Sequence, residues 1–174
     1  DPFIKDSYYN KFEWNRNVKI FRSKIEKVET EEANIYGFGF DDFYCTECGI
    51  ENLIIPEKDK PNILVIHGTL DGANIEEKQY NSISKRTLEE KGFDYVALGH
   101  IHKLDYNTKV NQKIVYPGST ISLGFDELGD NGMIVGEIKN KGLEIKFVPL
   151  DDEKFKKVEV DISEIYSKEE LIEK

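Results

Sequence analysis

Short apolar runs broken by glycine, asparagine and proline dominate the chain, and they predict strands more often than helices. Two of these runs are continuous enough to predict buried strands, at Ile63–His67 and Tyr95–Gly99. The other strand candidates are Val18–Arg22, Lys24–Glu29, Ala33–Phe40, Lys113–Tyr116, Gly132–Lys139, Leu143–Pro149 and Lys157–Ile162. Asn140-Lys141-Gly142 separates two alternating runs and therefore predicts a tight hairpin.

Helical signals are fewer. Ser84 is a candidate N-cap for a helix that ends at Gly92, with Leu88 on the face toward the core. A short helix from Asp6 to about Trp14 is also compatible with the pattern, because Tyr8 and Phe12 are four residues apart and would share one face. The chain therefore predicts an α/β fold in which strands provide most of the framework.

The C-terminal end carries the clearest helix start. Ser167-Lys168-Glu169-Glu170 fits a capping box, and Tyr166 can pack on Leu171 as a hydrophobic staple. Because the chain stops soon after this signal, we interpret it as a piece of a larger protein. We predict one α/β body over residues 1–150, followed by a linker and the start of another module over residues 151–174.

Composition narrows the class of protein. A chain of 20.1 kDa fits one domain, and a net charge of −10 with 33% charged residues predicts a cytoplasmic location. No apolar run approaches the roughly 20 residues of a membrane span, and the N-terminus lacks the pattern of a secretory signal. The acidic balance argues against simple electrostatic adhesion to nucleic acid. A nucleic-acid enzyme remains compatible with it, because bound divalent cations invert the local field.

The two cysteines, Cys45 and Cys48, do not form the disulfide framework of a secreted protein. Their spacing matches half of a zinc knuckle or a redox pair, but the sequence has no second pair. We therefore predict two free thiols in a loop.

The three histidines stand where the two buried strands are predicted to end. His67 precedes Gly68, and His100 and His102 follow Gly99. On an extended segment a His-x-His pair faces one side, and glycine lets the backbone approach bound ions closely. Neutral imidazoles at strand ends favour a site for divalent metal ions over surface or core histidines.

Carboxylate ligands for such a site are harder to find. The sequence contains no Asp-x-His and no Gly-Asp-x-x-Asp element. Several aspartates lie near strand ends without a recognisable ligand spacing, namely Asp1, Asp71, Asp94, Asp105 and Asp126. Spacing alone thus predicts half of a two-metal site.

Three segments together carry a resemblance to a known family: Val65-Ile-His-Gly68, Ala97-Leu-Gly-His-Ile-His102 and Tyr116-Pro-Gly-Ser119. They resemble the C-terminal half of a calcineurin-like metallophosphoesterase, and are most similar to the DNA repair exonucleases of the SbcD and Mre type. The resemblance covers most of residues 1–150. It implies part of a four-layer αββα sandwich with two mixed β-sheets, whose N-terminal portion is missing here.

The resemblance also implies roles for individual residues. His67 and His100 would bind the second metal ion, and His102 the first. Asp1 would be the last residue of a Gly-Asn-His-Asp element and would orient a histidine that this chain lacks. Independently of the resemblance, Ser119 follows a Pro-Gly turn and is a candidate contact for a substrate phosphate or sugar, with capping of the turn as the alternative. The implied cofactors are two divalent ions, most typically Mn²⁺, with Mg²⁺, Fe²⁺ or Zn²⁺ as alternatives.

In that family two metal ions clamp a phosphodiester and activate a water for in-line attack. The implied function is a metal-dependent exonuclease or endonuclease subunit in DNA repair, partnered by a Rad/SMC-like ATPase and able to form a homodimer. One alternative is a phosphoesterase for nucleotides, cyclic nucleotides or phosphoproteins, and another is a non-catalytic scaffold module. We expect this chain by itself to have little or no activity and to bind metal weakly or not at all.

Overall fold

The computed structural model describes residues 3–42, 49–55, 59–71, 81–107, 109–110, 112–139, 142–150, 154–163 and 165–173. The strands in these ranges are β1 Glu26–Glu29, β2 Asn34–Phe38, β3 Asn62–His67, β4 Thr69–Leu70, β5 Ser82–Ile83, β6 Tyr95–Gly99, β7 Ile114–Val115, β8 Gly132–Lys139 and β9 Gly142–Pro149. The helices are α1 Tyr8–Lys11, α2 Lys85–Lys91 and α3 Lys168–Glu173, and a 3₁₀ turn covers Ile50–Asn52. None of the helices in these ranges is long and apolar enough to cross a membrane.

A five-stranded sheet with the order β1-β2-β3-β6-β7 is the centre of the described fold. Strands β2, β3, β6 and β7 are parallel, and β1 pairs antiparallel with β2 at one edge. Two further pairs stand apart from this sheet, parallel β4-β5 and antiparallel β8-β9. The predicted α/β class is confirmed, whereas the four-layer sandwich with two mixed sheets stays a prediction.

One face of the central sheet carries the core. The strand register places apolar side chains from β2, β3 and β6 in two rows across this face: Tyr36, Leu64 and Val96, then Phe38, Ile66 and Leu98. Leu88 of α2 belongs to the same buried cluster and is 1% exposed. Burying each such side chain contributes roughly 1.5–3 kcal/mol, so this face holds α2 against the sheet.

The ends of α2 follow the sequence signals. The Ser84 hydroxyl accepts a hydrogen bond of 3.3 Å from the Thr87 amide. Gly92 ends the helix with a left-handed φ of 68°, a conformation that glycine adopts without strain. Both predicted ends of this helix are therefore confirmed.

The two short helices at the chain ends differ in part from expectation. Near the N-terminus a single turn forms, and the rings of Tyr8 and Phe12 stack with centroids 6.5 Å apart. At the other end, the Glu170 amide donates to the Ser167 hydroxyl over 3.2 Å, as a capping box requires. The Glu170 carboxylate, however, accepts from the amide of Tyr166 at 2.9 Å, one residue before the expected partner.

Two predicted strands are wrong. The segment Val18–Arg22 forms no strand; Val18 is exposed, and Phe21 packs against the sheet instead of joining it. Phe21 lies so close over Gly37 that a Cβ there would be 2.0 Å from its ring, and the Arg22 carbonyl accepts a single hydrogen bond of 2.8 Å from Gly39. In Lys157–Ile162 polar and apolar residues alternate as in a strand, but the segment pairs with no strand among the described residues.

The remaining strands agree with prediction at their centres and differ at their ends. Strands β6 and β8 have the predicted bounds, and β3 and β9 begin one residue earlier than expected. The hairpin between β8 and β9 is confirmed by its pairing of Lys139 with Gly142, while its turn residues lie outside the described ranges. Strand β7 is two residues long because Tyr116 leaves the ladder to form a separate bridge with Asp105.

Candidate metal site

The carboxyl ends of two adjacent parallel strands bring His67 and His100 together. His67 is the last residue of β3, and its register partner in β6 is Gly99, directly before His100. The two imidazole rings lie edge to face, with centroids 5.2 Å apart and an angle of 68° between their planes. The amide of Gly68 donates to the carbonyl oxygen of Gly99 over 3.2 Å, so one backbone hydrogen bond joins the two turns.

Burial keeps the imidazole of His67 neutral. The pKa of His67 is lowered to about 4, mainly by loss of solvent and to a smaller extent by the nearby His100 and His102. The ring of Phe40 packs edge-on against it at 5.9 Å. The side-chain amide of the buried Asn81 donates to the His67 carbonyl oxygen over 2.7 Å and fixes the backbone there. A neutral, fixed imidazole has a lone pair available for a metal ion.

An apolar cavity of about 530 Å³ lies along the second face of the central sheet and reaches His67. Its floor includes Val65 and Ala97, and aromatic side chains such as Phe21 and Trp14 line its other side. Val65 is 42% exposed in this position. The imidazole thus stands at the end of an apolar wall, which explains the loss of solvent that lowers its pKa.

Glycine at position 99 is required by the closeness of the His67 ring. A Cβ at Gly99 would lie 2.9 Å from Nδ1 of His67, closer than real side chains approach. The next residue, His100, has a φ of 106°. This region is unfavourable for a residue with a side chain, and such strain occurs most often at functional sites.

Tyr116 connects the histidine segments through its hydroxyl group. This hydroxyl donates to the carbonyl oxygen of Gly68 at 2.8 Å and accepts from the amide of Leu70 at 3.0 Å. Three residues further on, the amide of Ser119 donates to the carbonyl oxygen of His102 at 3.0 Å. The Tyr-Pro-Gly-Ser element therefore holds the backbone of both histidine segments in place.

His102 has a partner that the sequence analysis missed. Its Nδ1 lies 2.6 Å from Oε1 of Glu127, and the side chains are 60% and 10% exposed respectively. The pKa of Glu127 is lowered mainly by the hydrogen bond from the Leu123 amide, and then by those from His102 and Ser119. No motif marks Glu127, since it lies in a loop 25 residues after His102. A search for carboxylates near the Pro-Gly-Ser turn would have found it.

The predicted site residues are brought together to different degrees. His67 and His100 are in contact, and His102 lies close enough to influence the pKa of His67. Ser119 contacts the His102 segment through its amide and Glu127 through its hydroxyl. Asp1 lies outside the described residues, and so do Cys45 and Cys48, so predictions about these three stay predictions.

The aspartates considered from the sequence serve other contacts. The Asp94 carboxylate accepts from the Asn62 amide at 2.8 Å. This contact lies at the amino ends of β3 and β6, whereas the histidines lie at their carboxyl ends. The Asp71 carboxylate accepts from the Lys85 amide at 2.9 Å, at the start of α2. Among the described residues, no group of three or more His, Cys, Asp or Glu side chains is arranged to hold a metal ion.

The donors that are present fit a divalent ion in chemical type. Two imidazoles are in contact, one of them is held neutral by burial, and a third imidazole has a carboxylate on its other nitrogen. This last arrangement is typical of histidines that bind metal ions, in which the nitrogen that does not bind the ion is hydrogen-bonded to a carboxylate. The described part of the chain therefore offers a partial ligand set.

Comparison with known proteins agrees with this chemistry. The chain is 33% identical over 162 residues to the "Uncharacterized metallophosphoesterase YhaO" of Bacillus subtilis (strain 168). The match covers 87% of this chain and 38% of the relative, so the chain spans well under half of that protein. No protein-family model matches the chain. The similarity supports the metallophosphoesterase superfamily and does not reach a subfamily within it.

Proposed function

We propose that this chain supplies imidazole ligands to the divalent-metal site of a phosphoester hydrolase, with His67 and His100 binding one ion and His102 a second. The observation that carries the proposal is the contact between the His67 and His100 rings, whose centroids are 5.2 Å apart at the ends of adjacent parallel strands. Ligands in open α/β sheets bind at such carboxyl ends. The 33% sequence identity to a protein named as a metallophosphoesterase supports the same assignment.

Divalent ions in such sites supply charge neutralisation at phosphoryl oxygens and lower the pKa of a bound water. The contribution of this chain is to hold the ligands in place. Asn81 fixes the backbone of His67 through a hydrogen bond of 2.7 Å, and Gly99 leaves room for its ring. We assign Ser119, next to His102, as a contact for the substrate phosphate, and Asp1 as the residue that orients a further histidine.

For the substrate we propose a DNA phosphodiester, in a nuclease of the SbcD and Mre type that acts with an SMC-like ATPase. This assignment rests on the resemblance of the three motif segments. Nucleotides, cyclic nucleotides and phosphoproteins are the competing substrates. Hydrolysis of single-stranded DNA, bis-p-nitrophenyl phosphate and cyclic nucleotides by the full-length parent protein, each with Mn²⁺, would separate them. Preference for a cyclic nucleotide over DNA would contradict the nuclease assignment.

Paramagnetic broadening of NMR signals by Mn²⁺ tests the metal site in the chain itself. We expect substoichiometric Mn²⁺ to broaden the ring signals of His67 and His100 first, because their imidazoles would bind the ion directly. The double variant His67→Ala/His100→Ala lacks both rings. In this variant, substoichiometric Mn²⁺ should no longer broaden the signals of neighbouring residues in the site. Broadening confined to acidic surface residues would contradict the proposal, as would identical titrations of the two proteins. A scaffold without metal chemistry predicts these contrary results.

We also propose that the chain alone hydrolyses phosphodiesters poorly. Its described residues provide imidazoles without the bridging carboxylate that a two-metal centre needs. The measurement is Mn²⁺-dependent cleavage of single-stranded DNA by the purified 174-residue chain, with chelator as the control. Cleavage that disappears with chelator and with the His67→Ala/His100→Ala variant would contradict this part of the proposal.

A further inference from the structure

Several hydrogen bonds besides the one with His102 hold Glu127 in its loop. Its Oε2 accepts from the Leu123 amide at 3.0 Å, and its carboxylate also bonds the hydroxyl of Ser119. The Ser122 hydroxyl donates to the backbone carbonyl of Glu127 over 2.7 Å. These contacts fix the loop so that the remaining oxygen, Oε1, lies 2.6 Å from Nδ1 of His102.

The short contact with Glu127 determines which nitrogen of His102 carries the proton. The carboxylate acts as an acceptor on its other side too, where its Oε2 accepts from the Leu123 amide at 3.0 Å. An ionised carboxylate only accepts hydrogen bonds, so the short contact requires a proton on Nδ1 of His102. In a neutral imidazole the lone pair then lies on Nε2, the nitrogen on the opposite side of the ring.

We infer that Glu127 is a positioning residue that holds His102 in the Nδ1–H tautomer and presents its Nε2 to a divalent metal ion. The inference deepens the proposed function and rests on it for the identity of the ligand. His102 needs such support more than the half-buried His67 does, because its side chain is 60% exposed. A carboxylate on the far nitrogen both orients a metal-binding histidine and makes it a better donor.

A glutamine at position 127 separates this role from a merely structural one. It keeps the shape and one acceptor oxygen, which would serve the Leu123 amide as well as the carboxylate does. With that oxygen on Leu123, the amide nitrogen faces His102 and donates to Nδ1. The ring must then carry its proton on Nε2, which removes the lone pair that the metal needs. Glu127→Gln therefore predicts a switch of tautomer in a folded protein.

The experiment uses ¹⁵N-labelled chain without metal, at a pH where the ¹⁵N shifts show His102 neutral. We expect the wild type to carry the proton on Nδ1 and Glu127→Gln to carry it on Nε2. The matched control is Asp126→Asn. It removes the same charge at the neighbouring position, where the side chain is exposed, and should leave the tautomer of His102 unchanged. A wild-type His102 with its proton on Nε2 overturns the inference without any variant.

Mn²⁺ titration of the same samples then tests the link to metal. In the wild type we expect broadening of the His102 ring, and in Glu127→Gln an apparent affinity at this ring lower by about 10- to 100-fold. Asp126→Asn should titrate like the wild type. Equal affinity of Glu127→Gln and the wild type at His102 overturns the inference. The correct tautomer without any broadening at the three histidines would instead contradict the proposed function and leave the positioning of His102 by Glu127 standing.

Discussion

The hydroxyl group of Tyr116 donates a hydrogen bond of 2.8 Å to the carbonyl oxygen of Gly68, the residue after His67. The same hydroxyl accepts from the amide of Leu70, and Tyr116 is 3% exposed. Two buried backbone groups of the turn after β3 therefore depend on one side chain that is 48 residues away in sequence. This contact joins the Tyr-Pro-Gly-Ser element to the first histidine segment.

Replacing Tyr116 by phenylalanine should destabilise the protein by about 1–3 kcal/mol, because it leaves a buried carbonyl and a buried amide without a partner. The free energy of unfolding in urea measures this loss. Tyr8→Phe is the matched control: the ring of Tyr8 is 70% exposed, and its change should stay within about 0.5 kcal/mol. Equal effects of the two substitutions would show that the bridging hydroxyl contributes nothing.

The fold near the histidines is predictable from sequence because its signals are local. Continuous apolar runs identify β3 and β6, and the Ser84 and Gly92 caps give α2 its ends. Placing His67 and His100 at adjacent strand ends needs one additional assumption, that the two strands are parallel neighbours. Each of these features depends on residues close together in sequence or on a regular period.

Other features depend on contacts that no local pattern encodes. Val18–Arg22 is as apolar as a strand, yet it forms none, and the ring of its Phe21 covers Gly37 instead. Glu127 meets His102 only because a loop folds back over 25 residues. The hydrogen bond from Tyr116 to Gly68 joins residues that are even further apart in sequence, by 48 positions. Such contacts require the tertiary structure, since neither residue of a pair marks the other.

Gly99→Ala should disturb His67 without disrupting the sheet. The new methyl group would lie 2.9 Å from Nδ1 of His67, so the imidazole must move from its place beside His100. We expect shifted His67 ring signals in NMR spectra and Mn²⁺ binding weaker by about 10- to 100-fold at this ring. Gly142→Ala serves as the control, because the nearest described atom to its methyl group would be the Lys139 carbonyl oxygen, at 3.4 Å. Unchanged ring signals in Gly99→Ala would contradict the proposed close packing.

The protein should be more stable with glycine than with alanine at position 100. This reverses the usual order, in which alanine is the more stabilising of the two. Both substitutions remove the imidazole, but only alanine keeps a side chain at a φ of 106°. The strain of such a conformation is about 1–3 kcal/mol, whereas glycine loses about 0.4–1 kcal/mol through the unfolded chain. Urea unfolding should therefore favour His100→Gly over His100→Ala by about 1 kcal/mol. At His102, where φ is not positive, alanine should be at least as stable as glycine.

Gly118→Ala should cost more stability than Gly92→Ala, although both glycines have left-handed φ angles, 76° and 68°. At Gly92 the new methyl group would have no atom of the described residues within 4 Å, so the backbone strain of about 1–2 kcal/mol remains as its cost. At Gly118 it would lie 2.8 Å from the His102 carbonyl oxygen and 2.9 Å from the Leu104 amide. We expect the larger loss in urea unfolding to be accompanied by shifted His102 ring signals, which Gly92→Ala should leave in place. Equal losses and unshifted His102 signals would mean that the Pro-Gly-Ser turn does not hold the histidine segment.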